Sequence, residues 1–324
     1  MRRRSFVAGL GAATAWPPFA WSQQPGKVPR LGMLLFNSPQ ADPIGPLIQG
    51  LGALGYVDGK TIAVEYRYAE GKAERLANLA VELVQLKPDV IFAYGGDVAP
   101  YAKQATASIP VVVMVSNDPV QSGLVTSIRQ PGFNITGITL IYDELAGKML
   151  DLMKEALPEI SHVAVLWNPD HADPEFRETQ RVAIARGVEL QSLEVRRPSD
   201  FDGAFKAAID QRAEGLILVS SRLLLAQRQK IKEFTITTRI PAVGNWGDWA
   251  AKDGFLFTYG PNTDDAMRGI ATFVNKILRG ARPADLPIER PTRFELVVNA
   301  KTAQAFGIKL PDSIITRADK VIEW

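Results

Sequence analysis

Cysteine is absent from this chain of 324 residues, and histidine occurs only twice, as His162 and His171. The lack of cysteine excludes disulfides, thiolate nucleophiles and cysteine zinc sites. It also excludes the cysteine through which bacterial lipoproteins are anchored to lipid. Two histidines are too few for a histidine-rich metal site. We therefore predict a protein with no metal and no cofactor.

A strong charge of one sign is also missing. The formal net charge is +2, and charged residues make up 22% of the chain. A protein that binds nucleic acid usually shows a basic face or stripe, which this sequence lacks. We expect no nucleic-acid partner.

The N-terminal segment MRRRSFVAGLGAATAWPPFAWSQQ has the order of an export signal. Three arginines precede a short apolar stretch, and Ala20-Trp21-Ser22 supplies the small residues of a cleavage site. The apolar stretch is too short to span a bilayer. The segment 3–7, RRSFV, is similar to a twin-arginine signal. The alternative is a disordered basic tail. We predict that residues 1–22 are a signal peptide, and that the chain is exported to the periplasm without a lipid anchor.

Strand-like and helix-like segments alternate through the rest of the chain, which predicts an α/β fold. The unbroken apolar run VVVMV (111–115) is typical of a strand that is covered on both faces. The order of segments returns about 130 residues later, beginning with HVAVLWNPD (162–170). The repeat predicts two similar lobes, each with a doubly wound parallel sheet. The tail, 262–324, is predicted to add a helix, a strand and a further helix.

Several ordered motifs carry a resemblance to a known family: GYVDGKTIAVEYRYAEG, PDVIFAYGGDVAPYAKQAT, SIPVVVMVSNDPVQSGLV, PGFNITGIT and FELVVNAKTAQAFGIKLPDSI. Over about residues 28–324 the chain resembles the substrate-binding proteins of ABC transporters that include tryptophan-type periplasmic binding proteins. The resemblance implies the type I periplasmic-binding-protein fold, with two lobes joined by a hinge. It places 28–141 plus 262–290 in the first lobe and 142–261 plus 291–324 in the second. The chain departs from the family pattern at Asp97 and at Ser220-Ser221-Arg222.

Polar residues follow nearly every predicted strand. In open doubly wound sheets, ligands bind beyond the carboxyl ends of the strands. This rule and the resemblance together predict nine ligand-binding residues, of which Tyr142 and Tyr259 are also hinge candidates. They are Asn37, Gly96, Asp97, Asn117, Asp118, Tyr142, Arg222, Trp246 and Tyr259.

Several of these residues have a second reading. Asp118 precedes a proline and fits either a helix cap or a carboxylate that receives a ligand's ammonium group. Arg222 is either a solvated surface side chain or a residue whose guanidinium donates two hydrogen bonds to a ligand carboxylate. The pair Gly95-Gly96 fits a tight turn or a close approach to a ligand. The aromatic candidates fit core packing or stacking on a ligand. His171 lies near a strand exit and fits either a ligand contact or a surface residue at a helix entry, and we predict the surface residue.

The resemblance implies a periplasmic solute-binding component of an ABC import system. Its two lobes would close around a small organic ligand, with an amino acid or an aromatic carboxylate favoured. The implied partners are that small-molecule ligand and an ABC permease with its ATPase in the inner membrane, and the chain is expected to be a monomer. One alternative is a periplasmic sensor that feeds a receptor. Another is a two-lobed enzyme, although G-x-S-x-G is missing and we predict no catalysis.

The predicted signal peptide can be tested by cell fractionation and by the mass of the mature chain. We expect cleavage near Ser22–Gln23 and recovery from the periplasm. Replacing Arg3 and Arg4 by Lys should block export, because the twin-arginine route reads that pair. Unchanged export of this variant would indicate the general secretory route, and a full-length chain in the cytoplasm would contradict export itself.

Overall fold

The computed structural model describes residues 28–171, 175–246 and 248–323. The predicted signal peptide lies outside these ranges. The strands are β1 Arg30–Leu35, β2 Ala63–Tyr68, β3 Val90–Tyr94, β4 Val111–Val115, β5 Ile135–Thr139, β6 His162–Trp167, β7 Glu189–Glu194, β8 Gly215–Leu218, β9 Ala242–Gly244, β10 Phe257–Pro261, β11 Phe294–Asn299 and β12 Lys320–Ile322. The helices are α1 Gly45–Ala53, α2 Leu76–Gln85, α3 Ala99–Ala105, α4 Tyr142–Ala156, α5 Glu175–Arg186, α6 Phe201–Asp210, α7 Arg222–Ala226, α8 Arg228–Thr238, α9 Asp248–Asp253, α10 Thr263–Leu278, α11 Ala300–Phe306 and α12 Asp312–Arg317.

The first sheet contains five parallel strands in the order β2-β1-β3-β4-β5. Successive side chains of a strand point to opposite faces. In β4, Val112 and Met114 therefore pack with α1 and α10, whereas Val111, Val113 and Val115 pack with α2 and α3. Both faces of the strand are covered, as the apolar run predicts.

The second sheet repeats the strand order of the first. Its strands β7-β6-β8-β9-β10 correspond one by one to β2-β1-β3-β4-β5. The predicted fold class, two similar doubly wound lobes, is thereby confirmed. Two strands from the tail, β11 and β12, extend this sheet, and β11 runs antiparallel to β10. The sequence did not predict β12 or α12, because three residues are too few to show the alternation of a strand.

The segment that follows β8 is divided into two helices. Residues 222–239 form α7 and α8, which meet at Gln227. The hydroxyl oxygen of Ser221 accepts a hydrogen bond from the backbone N–H of Leu224 at 3.3 Å and caps the start of α7. This cap fixes the position from which Arg222 leaves the backbone.

The chain passes between the two sheets three times. After β5 it enters α4, which packs against α5 and β10, and after β10 it enters α10, which packs against α1. It then bonds to β5, where the backbone N–H of Glu289 donates to the oxygen of Gly137 at 2.9 Å, before it forms β11. Ile141, at the first passage, has a φ of 49°, which is unusual for a β-branched residue. The residues at which each lobe begins and ends stay predictions.

No helix in the described ranges has both the length and the apolar character needed to cross a membrane.

Gly137 offers a sharp test of how closely β4 and β5 pack. Its φ is 144°, and an added Cβ would lie 1.9 Å from the carbonyl oxygen of Val113. Gly137→Ala should therefore lower the free energy of unfolding by more than about 3 kcal/mol, because the strands must separate. The matched control is Gly203→Ala in α6, where an added Cβ meets nothing within 4 Å. That change should stabilise the protein by about 0.5–1 kcal/mol in urea unfolding. Equal stabilities of the two variants would contradict this packing.

Candidate functional site

The carboxyl ends of the two sheets face each other across a cleft. Arg222, at the start of α7 in the second lobe, lies with its guanidinium carbon 4.0 Å from the ring centre of Tyr94 at the end of β3. Ser116, after β4, hydrogen-bonds to His171 of the second lobe at 3.1 Å. Residues at or beyond the carboxyl ends of four different strands are thus brought together, as the topology of doubly wound sheets requires.

Arg222 is the centre of this cluster. The residue is only 5% exposed, so the surface reading considered for it is wrong. Its guanidinium also lies 5.9 Å from the ring of Trp246. Burial alone lowers the pKa of Arg222, but Tyr94, Asp97 and Asp42 outweigh this effect and raise it. The side chain is therefore a permanently charged cation in a largely dry site.

The two glycines after β3 make room for polar and charged side chains. Gly95 has a φ of 120°, and a Cβ placed there would lie 2.5 Å from Oδ1 of Asp97 and 3.5 Å from Cδ of Arg222. A Cβ at Gly96 would lie 3.1 Å from Oδ1 of Asn117. The close approach that these glycines permit is therefore to side chains of the protein itself, from both lobes.

Asp42 is a buried carboxylate that sequence reasoning missed. It is 4% exposed, and its two oxygens accept hydrogen bonds from the backbone N–H and the side-chain amide of Asn37, at 2.9 and 3.1 Å. Burial raises the pKa of Asp42, although Arg222 and the hydrogen bonds from Asn37 oppose that shift. Asp42 lies seven positions beyond the end of β1, too far for the strand-exit rule to reach.

Three buried polar atoms of this cluster have no hydrogen-bond partner within the ranges the structure describes. They are Nη1 of Arg222, Oδ1 of Asp97 and Oδ1 of Asn37. Most buried polar atoms in proteins are hydrogen-bonded, so each exception needs a reason. The cationic donor of Arg222 could bind an anionic group of a ligand. The two acceptor oxygens could bind polar hydrogens of the same ligand.

His171 occupies a different place from the one predicted. The sequence predicts a surface residue, but the side chain is buried, with the residue 6% exposed. Its Nε2 lies 3.1 Å from the Ser116 hydroxyl, and its Nδ1 lies 3.8 Å from Oδ2 of Asp97. The contact across the cleft, which sequence patterns do not reveal, excludes water from the ring.

A second polar network supports the cleft from the second lobe. Glu175, the first residue of α5, is 2% exposed and accepts hydrogen bonds from Asn245 Nδ2 at 2.8 Å and from the backbone N–H of Ser220 at 3.2 Å. The Ser220 hydroxyl also lies 3.1 Å from Asn245 Oδ1. This network holds the residues that precede Arg222, and sequence reasoning did not select Glu175.

Tyr68 adds an aromatic surface next to Asp42. It ends β2, stacks on Tyr66 at 6.0 Å between ring centres, and is partly buried. Burial, followed by Tyr66, Asp42 and Glu70, raises the pKa of Tyr68 to about 12. The phenol therefore stays protonated at neutral pH and can donate a hydrogen bond.

The structure groups most of the predicted ligand-binding residues and places others apart. Six of them belong to the cluster or border it: Asn37, Gly96, Asp97, Asn117, Arg222 and Trp246.

The other three predicted residues lie apart from the cluster. Tyr142 is fully buried at the start of α4, where its backbone N–H donates to the oxygen of Ser116 at 2.9 Å. Oδ1 of Asp118 accepts hydrogen bonds from the backbone N–H groups of Val120 and Gln121, but residues 119–123 form turns, so Asp118 caps no helix. Tyr259 stacks on Phe294 at 6.2 Å, between β10 and β11. The ligand roles of all nine residues stay predictions.

Three comparisons with known proteins agree with this architecture. A curated relative, the tyrosine-binding protein of Clostridioides difficile strain R20291, is 22% identical over 265 residues, which cover 81% of this chain and 75% of the relative. A conserved domain protein from Vibrio cholerae has the same fold, with a TM-score of 0.83, 24% identity and coverage of 91% of this chain and all of that one. An ABC domain from Streptococcus pneumoniae in complex with L-Trp gives a TM-score of 0.82, 22% identity and the same coverage.

A family model also matches most of the chain. The sequence model described as "ABC transporter substrate binding protein" matches residues 41–322. That range includes both sheets apart from β1, and it contains Asp42, Asp97, His171 and Arg222. The chain belongs to the family of ABC transporter substrate-binding proteins.

Proposed function

We propose that this protein is the periplasmic component of an ABC import system and that its ligand is an amino acid with an aromatic or apolar side chain. The observation that carries the proposal is the set of three buried atoms, on Arg222, Asp97 and Asn37, without hydrogen-bond partners in the described ranges. An α-carboxylate would accept from Arg222, and an α-ammonium group would donate to Asp97 and Asn37. The relatives that bind tyrosine or contain L-Trp support the same ligand class.

The charges of the cluster favour an amino acid over a carboxylate that lacks an amine. Such a ligand would satisfy Arg222 but leave the acceptors on Asp97 and Asn37 without donors, and an unsatisfied buried polar group is costly. It would also add a negative charge beside Asp42 and Asp97. A zwitterion adds no net charge and supplies donors as well as acceptors.

The aromatic residues around the cluster fit the rest of the ligand. The rings of Tyr94 and Trp246 lie 4.0 and 5.9 Å from the Arg222 guanidinium carbon, and Tyr68 is close enough to Asp42 to interact with its charge. Aromatic side chains offer large apolar surfaces with polar edges and are frequent in ligand pockets. An aromatic or apolar side chain of the amino acid would therefore pack against these aromatic rings.

Binding in this arrangement requires no covalent chemistry. Arg222 belongs to the second lobe and Asp97 to the first, so a ligand reaches both only when the lobes are together. It binds the closed form more tightly than the open form, and this differential affinity shifts the equilibrium towards closure. A permease that recognises the closed form would receive loaded protein more often than empty protein, which is the role proposed for the ABC partner.

The proposal predicts how affinity depends on the two charged ligand groups. In titration calorimetry, L-tryptophan or L-tyrosine should bind, whereas tryptamine and indole-3-propionate should each be weaker by about 2–5 kcal/mol, because each leaves one buried charge unpaired. Arg222→Gln and Asp97→Asn should cause similar losses. The matched control is Arg181→Gln, a side chain that is 73% exposed, and it should bind like the wild type.

Each outcome has a distinct meaning. Equal affinities for L-tryptophan and tryptamine would contradict the role of Arg222 as carboxylate receptor. No binding of any aromatic or apolar amino acid would contradict the proposed ligand class, and native mass spectrometry of the purified protein would then identify the true one. Because Arg222 is buried, circular dichroism must show that each variant is folded before its affinity is compared.

A further inference from the structure

The contact between His171 and the first lobe forms only when the lobes are together. Ser116 and Asp97 follow β4 and β3 of the first sheet, whereas His171 follows β6 of the second. The distances are 3.1 Å from Nε2 to the Ser116 hydroxyl and 3.8 Å from Nδ1 to Oδ2 of Asp97. Separation of the lobes would break both contacts and hydrate the ring.

We propose that His171 is an affinity-determining residue of the cleft, and that its protonation closes the lobes and tightens ligand binding as the pH falls. This inference rests on the proposed function but concerns a residue that need not touch the ligand. Both ring nitrogens of a protonated histidine are donors, and both face an acceptor here, the Ser116 hydroxyl and the Asp97 carboxylate. The charged form of His171 is thus complementary to the surface that closure presents to it.

Several charged groups affect the protonation of the His171 ring, and some favour it whereas others oppose it. Asp97, from the loop after β3, favours the protonated form. Burial disfavours it, and so does the positive charge of Arg222 of α7, which interacts with Asp97. Asp42, from the loop after β1, adds a second negative charge to the cluster. Glu175 of α5 is hydrogen-bonded to Ser220 and Asn245. Among these charges, Asp97 lies nearest to the ring, at 3.8 Å from Nδ1, so we expect the net effect to favour the protonated form.

Serine, histidine and aspartate also form the nucleophilic triad of many hydrolases. In that arrangement the carboxylate hydrogen-bonds to the histidine, at about 2.6–3.2 Å between heavy atoms. The 3.8 Å from Nδ1 to Asp97 is longer than this, and Asp97 also neutralises Arg222. The geometry therefore supports an ion pair across the cleft rather than an activated Ser116.

The expected change in ligand affinity follows from the coupling between protonation of His171 and closure of the lobes. If closure raises the pKa of His171 by one unit above its open-state value, the affinity increases about tenfold as the ring becomes protonated. Between pH 8 and pH 5.5, the affinity for L-tryptophan should therefore rise about tenfold in the wild type. His171→Gln should remove this dependence, because glutamine can still bond to Ser116 but does not titrate.

The second histidine of the chain is a natural control. His162 begins β6, and its backbone N–H donates to Glu214 at 3.0 Å on the exposed surface, outside the cluster. His162→Gln should keep both the affinity and its pH dependence. Histidine resonances followed by NMR in the wild type should show a higher pKa for His171 with L-tryptophan bound than without it. An affinity that is constant with pH, or that falls at low pH, would overturn the proposal.

A measurement without ligand separates this proposal from the proposed ligand class. Because the chain has no cysteine, Gln121→Cys in the first lobe and Ile184→Cys in the second can carry a pair of fluorophores. Energy transfer in the free protein should indicate more closed molecules at pH 5.5 than at pH 8, and His171→Gln should abolish the change. If amino acids fail to bind but this change is present, only the ligand class is wrong. If amino acids bind but neither energy transfer nor affinity depends on pH, only the role of His171 is wrong.

Discussion

The buried charge of Arg222 is the constraint on which the arrangement of the cleft depends. A guanidinium taken out of water must be compensated by nearby negative or polarisable groups, or its desolvation destabilises the structure. The groups that compensate it, the ring of Tyr94 and the carboxylates of Asp42 and Asp97, all belong to the first lobe, whereas Arg222 belongs to the second. When the lobes separate, water must replace them. The same charge therefore links the packing of the two lobes to the chemistry between them.

The groups that compensate the charge of Arg222 do not satisfy all of its hydrogen-bond donors. Nη1 of Arg222 and Oδ1 of Asp97 are buried with no partner in the described part of the chain, although the two residues interact electrostatically. A cluster that evolved only for stability would pair these atoms or replace them by apolar groups. Unsatisfied groups at a functional site are a common cost of function. The geometry thus holds a cation and an anion close enough to attract each other but leaves sites on both open to a third molecule.

The sequence was sufficient to predict the fold because the fold follows from short-range patterns. Apolar runs such as 111–115 mark the buried strands, and the repeated order of segments marks the two lobes. The candidate site was predicted only in part. The strand-exit rule selects residues that closely follow a strand, such as Asp97, whereas Asp42 lies farther along its loop and Glu175 begins α5. The burial of His171 depends on how the lobes meet, which no local pattern records.

The charge balance of the cleft connects these observations. Asp42, Asp97 and Arg222 carry two formal negative charges and one positive, so the cluster has a net charge of about −1 when both carboxylates are ionised. Burial raises the pKa of Asp42, and the neighbouring charge of Asp97 adds to that shift, although Arg222 opposes it. A simple carboxylate would increase the excess, whereas a zwitterion would leave it unchanged and a proton on His171 would cancel it. The ligand class and the pH dependence proposed for this protein are therefore two consequences of the same surplus of negative charge beside Arg222.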